Sequence, residues 1–94
     1  MTSGKNQSKL PEWFQGDHYS NGDSVTNPFS GEKYKLNAEE LSMYDFIMGA
    51  QYTIEIAYDG DIFDPSVSRL QKELYKGIDW FREVNPKAYM VLLD

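Results

Sequence analysis

The stretch Leu41–Tyr58, LSMYDFIMGAQYTIEIAY, decides how this chain is read. Its residues suit a helix, and that helix is apolar around most of its circumference. At about 100° per residue, Met43, Tyr44, Phe46, Ile47, Met48, Ala50, Tyr52, Ile54 and Tyr58 join Leu41 in one arc roughly 240° wide. A helix lying on a single core needs an apolar arc of little more than about 100°. Two sides of this helix therefore require cover, from the rest of the chain or from a second molecule.

The flanks fix the ends of the helix. Asn37 suits an N-cap, and Glu40, three residues on, completes a capping-box pattern. Glu39 and Glu40 also face the positive end of the helix dipole. Gly49-Ala50 thins the middle, where glycine costs up to about 1 kcal/mol relative to alanine. Close approach of another backbone is the expected compensation. Thr53–Ile56 has strand propensity, and the expected helix ends near Ala57.

Upstream, SVTNPFSGEKYKL (24–36) reads as a β-hairpin. Asn27-Pro28 opens its turn and Ser30-Gly31 closes it. The alternation in 32–36 puts Tyr34 and Leu36 on one face and Lys33 and Lys35 on the other. Two short strands are marginal alone, so they must lie on the helices or extend a neighbour's sheet. Residues 1–24 read as an irregular tail preceding a globular unit at 25–94. Within the tail, Trp13-Phe14 reads as an aromatic anchor that docks onto a body, its own or a neighbour's.

Downstream, Asp59-Gly60-Asp61 reads as a loop, and Asp64-Pro65 starts a second helix with a cap and a proline at the first helical position. Val67, Leu70, Leu74, Ile78 and Phe81 recur at spacings of three and four, a one-sided amphipathic stripe. Asn85-Pro86 repeats the cap-then-proline device. The apolar run after it (86–93) forms a short helix or a last strand. The expected fold class is α+β: two long antiparallel helices, a short N-terminal hairpin and a C-terminal helical or extended segment.

Composition narrows function. The 94 residues carry a net charge of −6 and no cysteine. The charge is uneven, with four lysines against four carboxylates in 1–35 and five cations against eleven carboxylates in 36–94. An acidic body repels phosphate backbones and disfavours nucleic-acid binding through a basic face. An acidic nucleic-acid mimic is a minor alternative. MTSGKNQSKL lacks the apolar core of a secretory signal. The longest apolar stretch contains Asp45, Gln51 and Glu55, which argues against a membrane span.

Catalytic signatures are weak. Counted from Asp59, the acidic loop Asp59-Gly-Asp61-Ile-Phe-Asp64 misses the ligand spacing of a calcium loop, with Phe63 fifth and Leu70 twelfth. A metal-dependent hydrolase using Asp59 and Asp61 is the enzymatic alternative. His18 is the single histidine, too few for zinc in a chain without cysteine. Phosphate-cradling glycine motifs are missing. No catalytic, metal or cofactor site is expected.

Aromatics are 14 of the 94 residues, more than a small core needs. Tyr75 and Trp80 lie off the second helix's stripe, as interface residues do. Trp13, Phe14, Phe29, Tyr44, Tyr52, Tyr75, Trp80 and Tyr89 are the candidate interface set. The expected function is a non-catalytic protein-interaction module, self-associating as a dimer or docking on another protein.

The segments Asn27-Pro28-Phe29-Ser30-Gly31-Glu32, Leu36, Tyr44-Asp45, Gly49-Ala50, Trp80-Phe81 and 85–94 resemble those of small uncharacterised proteins of marine tailed phages, such as those infecting cyanobacteria. The resemblance spans about residues 25–94. It implies a viral product in a host bacterial cytoplasm, with a host or viral protein as the other candidate partner. It carries no activity and no site residues with it.

Overall fold

In the computed structural model, residues 9–60 and 64–93 are described. Strands β1 (Asp23–Thr26) and β2 (Lys33–Leu36) precede helices α1 (Ala38–Asp59), α2 (Pro65–Val84) and α3 (Pro86–Leu92). The class is α+β, with two long helices and a hairpin at the N-terminal side. The C-terminal run is helical.

The hairpin pairs antiparallel, Asp23 with Leu36 and Val25 with Tyr34. Its alternation works as the pattern predicts: Leu36 is buried, Tyr34 half-buried, and Lys33 and Lys35 exposed. The two strands find their support on α1 and α3, the elements β2 packs against.

Capping organises the helices. The Asn37 side chain accepts from the Glu40 N–H at 2.8 Å, and Glu40 Oε1 accepts from the Asn37 N–H at 3.0 Å, so the capping box is closed. Asp64 accepts from the Ser66 N–H at the start of α2. Asn85 accepts from the Ala88 N–H at the start of α3. Asn85 also donates its amide to Glu40 Oε2 at 3.1 Å. One buried carboxylate thus ties the start of α1 to the start of α3.

Helix α1 runs through Thr53–Ile56 and ends two residues beyond the expected Ala57. The β-branched Thr53 is accommodated because its hydroxyl donates to the Gly49 carbonyl at 2.9 Å. Tyr58 meets Gln71 near the turn between helices, while Met43 and Ile47 face Gly77 further along, so α1 and α2 run antiparallel. The core is shared by all layers: Met43, Ile47 and Ala50 of α1, Leu74 and Phe81 of α2, Ala88 and Leu92 of α3, and Leu36 of β2.

The segment before the hairpin belongs to this body. Phe14 is buried to 6% exposure within the core cluster, and Leu10 and Trp13 pack on it. Trp13 and Phe14 both meet the Phe46 ring edge-on, with centroids 5.9 and 5.7 Å away. The Tyr19 N–H donates to Ser42 Oγ at 2.9 Å. A Cβ on Gly22 would sit inside the Leu36 carbonyl and against the Asn37 Cα, so only glycine lets the chain cross there.

The glycine expectation is corrected. Among the described residues, a Cβ on Gly49 would meet nothing within 4 Å beyond its own helical turn, so no other backbone there approaches it. The close approach is at Gly77 of α2, where a Cβ would stand 3.0 Å from Met43 Sδ and 3.4 Å from Ile47.

Two stability outcomes are expected from urea denaturation. Gly49→Ala should stabilise by about 0.5–1 kcal/mol, since helix propensity improves and nothing clashes. Gly77→Val should destabilise by about 1–3 kcal/mol, because its Cβ and two methyls must displace Met43 and Ile47. In a double-mutant cycle, Glu40→Gln and Asn85→Ala should couple by about 1–2 kcal/mol.

Candidate protein-binding surface

The eight candidate interface residues divide by burial. Phe14 and Tyr44 face inward, at 6% and 9% exposure, and offer nothing to a partner. Tyr44 lies on a tilted contact with Phe81, and its burial pushes its phenol pKa up. Trp13, Trp80 and Tyr89 are half-buried. The Trp80 indole N–H donates to the Lys9 carbonyl at 3.3 Å, so the N-terminal segment covers it in part. Tyr89 lies under the Arg82 guanidinium, 5.6 Å from the ring centre, a cation–π contact. Phe29, Tyr52 and Tyr75 are open, at 97%, 67% and 59% exposure.

Phe29 is displayed by a built loop. Asn27 Oδ1 accepts from the Phe29 N–H at 2.7 Å and from the Ser30 N–H at 3.2 Å. Gly31 closes the turn with φ of 79°, a left-handed conformation that glycine takes without strain. The Asn27 amide donates to the Val91 carbonyl at 2.8 Å and pins the loop to α3. Behind Phe29 lies a pocket of 150 Å³, lined by Asn27, Pro28, Met48, Gln51, Leu92 and Leu93.

Tyr75 belongs to a row that crosses the helix pair. The Tyr58 hydroxyl donates to Gln71 Oε1 at 3.2 Å, and Gln71 Nε2 donates to the Tyr75 hydroxyl at 3.3 Å. Both tyrosine rings are half or more exposed, so the bonds fix their directions without hiding them. The row is neutral, in a chain of net charge −6.

Away from this row along α1, the space beside Gly49 opens into a groove of 330 Å³. Gly16 and Asp17 of the N-terminal segment, Asp45, Phe46, Gly49, Ala50 and Thr53 of α1, and Leu70 of α2 line it. Its lining is part apolar and includes two carboxylates. Tyr19 reports the local field: the charge of Asp45 chiefly, then partial burial, a side-chain hydrogen bond with Asp45 and the charge of Asp17, raise its pKa. Sequence reading found neither Gly49's open flank nor Asp17 as a wall, because the segment that builds the second wall lies some thirty residues away in sequence.

The alternative acidic-loop site is placed as follows. Asp59 is the last residue of α1 and exposed, Asp61 lies outside the described residues, and Asp64 is committed to the α2 cap. The Ser66 N–H holds the Asp64 carboxyl below its ordinary value. Among the described residues, no three His, Cys, Asp or Glu side chains converge on a metal-sized space. His18 is exposed and edge-on to Phe14, 5.1 Å between centroids. No helix among the described residues is long and apolar enough to cross a membrane.

Comparison with known proteins finds no matching family model, no matching curated protein and no matching solved structure.

The electrostatic reading has a direct check. Asp45→Asn removes the charge that disfavours the Tyr19 phenolate, so the Tyr19 pKa should fall toward its ordinary value. NMR titration of a ring-labelled Tyr19 measures this, with Tyr44 expected to stay raised.

Proposed function

We propose that this chain is a non-catalytic protein-interaction module that self-associates through the face bearing Tyr58, Gln71 and Tyr75. The observation that carries this reading is that hydrogen-bonded, exposed and uncharged row. A symmetric dimer brings one patch onto its own copy. A patch rich in one charge repels itself there, whereas tyrosine hydroxyls and a glutamine amide both donate and accept. Tyrosine also brings large contact area with few rotatable bonds to freeze.

The resemblance to phage proteins adds context to this proposal: a viral product at work in a host bacterial cytoplasm, with a host or viral protein as its further partner. Of the candidate interface residues, Phe29 and Tyr52 are the exposed ones left over for that partner. Their supports differ, since the hairpin loop displays one and α1 the other.

Sedimentation equilibrium tests the dimer. The wild type is expected at twice the chain mass at high micromolar concentration. Tyr75→Glu, which places a charge on the symmetry-related patch, should return it to one chain mass with unchanged helical circular dichroism. A wild type at one chain mass throughout overturns self-association.

A further inference from the structure

We propose that the groove beside Gly49 is a docking site for a lysine or arginine side chain carried by a basic segment of a partner protein. The inference rests on the interaction-module reading but not on self-association. Tyr58 and Gly49 are nine residues apart, about two and a half turns, so the tyrosine row and the groove lie on opposite sides of α1.

Gly49 supplies the first argument. It sits inside a 22-residue helix, where glycine costs about 1 kcal/mol relative to alanine. Among the described residues, nothing outside its own helical turn lies within 4 Å of where its Cβ would be, so no contact there compensates that cost. What the missing side chain leaves is the open groove itself. A glycine with no packing return inside the protein is accounted for by a guest that needs the space.

The chemistry of the walls says which guest. The lining combines Phe46, Gly49, Ala50 and Leu70 with the carboxylates Asp17 and Asp45. Long cationic side chains have this division in one body, an apolar stem ending in a charged head. The stem lies along the apolar residues and the head meets the carboxylates. Among the described residues, neither Asp17 nor Asp45 forms a salt bridge. Their joint effect on Tyr19 shows both charges acting on the same locality.

Charge also selects against a second copy of this helix. Helix α1 carries Glu39, Glu40, Asp45, Glu55 and Asp59 and no lysine or arginine. Two α1 helices laid across Gly49 would set like charges against each other. A basic segment finds the opposite: attraction at the carboxylates, with Tyr52 and Ile56 exposed on the same side of α1 for an apolar neighbour of the cation. Tyr52 and Ile56 follow Gly49 by three and seven residues, which places them on one side of the helix.

The test uses the full chain, ¹⁵N-labelled, titrated with a blocked alanine-rich peptide carrying arginines four residues apart, and with its glutamine-substituted twin. The arginine peptide should shift the amides of Gly16, Asp17, Asp45, Gly49 and Thr53, and the twin should not. Asp17→Asn with Asp45→Asn should weaken binding about tenfold or more, and added salt should weaken it in the wild type. Gly49→Leu, which fills the groove, should abolish binding with helical circular dichroism unchanged. Should that variant unfold, the paired asparagine variant still decides. Equal binding of the twin, shifts scattered over Glu55 and Glu83, or full affinity in the asparagine variant would each overturn the proposal. So would movement of the same amides in unliganded Lys5→Ala, which would make the chain's own first residues the occupant. Sedimentation of the groove variants separates this outcome from failure of the dimer, which depends on Tyr75.

Discussion

The Glu40 carboxylate is the constraint on which the arrangement of elements depends. It is buried, and burying an unpaired charge costs several kcal/mol or forces protonation. Here each oxygen has a donor: Oε1 the Asn37 amide N–H, Oε2 the Asn85 side-chain amide. Asn37 follows directly on β2, so the first bond fixes the corner between hairpin and α1. Asn85 is the hinge between α2 and α3 and caps α3 with its other side-chain atom. Four elements meet at one ion with no cation among its hydrogen-bonding partners. Moving any of them strands a donor or the charge, and this penalty for departure specifies the geometry more than the bonds' modest net contribution does.

With the corner fixed, cover for α1 is distributed unevenly along its length. Its first half is enclosed: Ser42, Met43 and Ile47 are buried, with Leu36, Phe81 and the N-terminal segment around them. The Trp13–Phe14 anchor supplies the third side by packing on Phe46. The second half has less around it. There Ile54 and Ala57 are buried, while Tyr52, Ile56 and Tyr58 face outward. The hairpin, α3 and the N-terminal segment meet α1 between Glu40 and Thr53, which leaves less around its last turns. Exposure of the far end follows from where the short elements attach.

Much of this fold is legible in the sequence because its signals are local. Asn37 with Glu40, Asp64 with Pro65 and Asn85 with Pro86 each declare a helix start within four residues, and each cap forms. The alternation of Lys33–Leu36 declares its buried face. What the sequence does not declare is which distant groups meet. Glu40 and Asn85 are both readable as caps, yet their bond joins residues 45 apart. Tyr44 and Phe14 are as aromatic as Tyr75 and Phe29, and only the packing of other elements decides which are hidden. The two helical glycines show where a signal was present. Leu70, Leu74, Gly77 and Phe81 fall at spacings of four, three and four, so Gly77 occupies a core position of the α2 stripe, against Met43 and Ile47. Gly49 sits among exposed positions, where glycine has no neighbour to admit.

The two sides of α1 differ in a way that sorts partners. Both expose aromatic or aliphatic groups, so hydrophobic burial alone would let either side dock on either kind of partner. Charge removes that degeneracy. The Tyr58–Gln71–Tyr75 row is neutral and its groups can donate and accept alike, so a copy of itself meets it without penalty. The Gly49 groove is lined by Asp17 of the N-terminal segment and Asp45 of α1, a helix without a single cation, so on the reading proposed above a copy is repelled and a basic chain is drawn in. Like-charge juxtaposition at contact costs more than a few methylenes of buried surface return, and that inequality is why the proposal gives each face its own class of partner. A small body can then hold a copy of itself on one side and a different chain on the other without the two competing for the same residues.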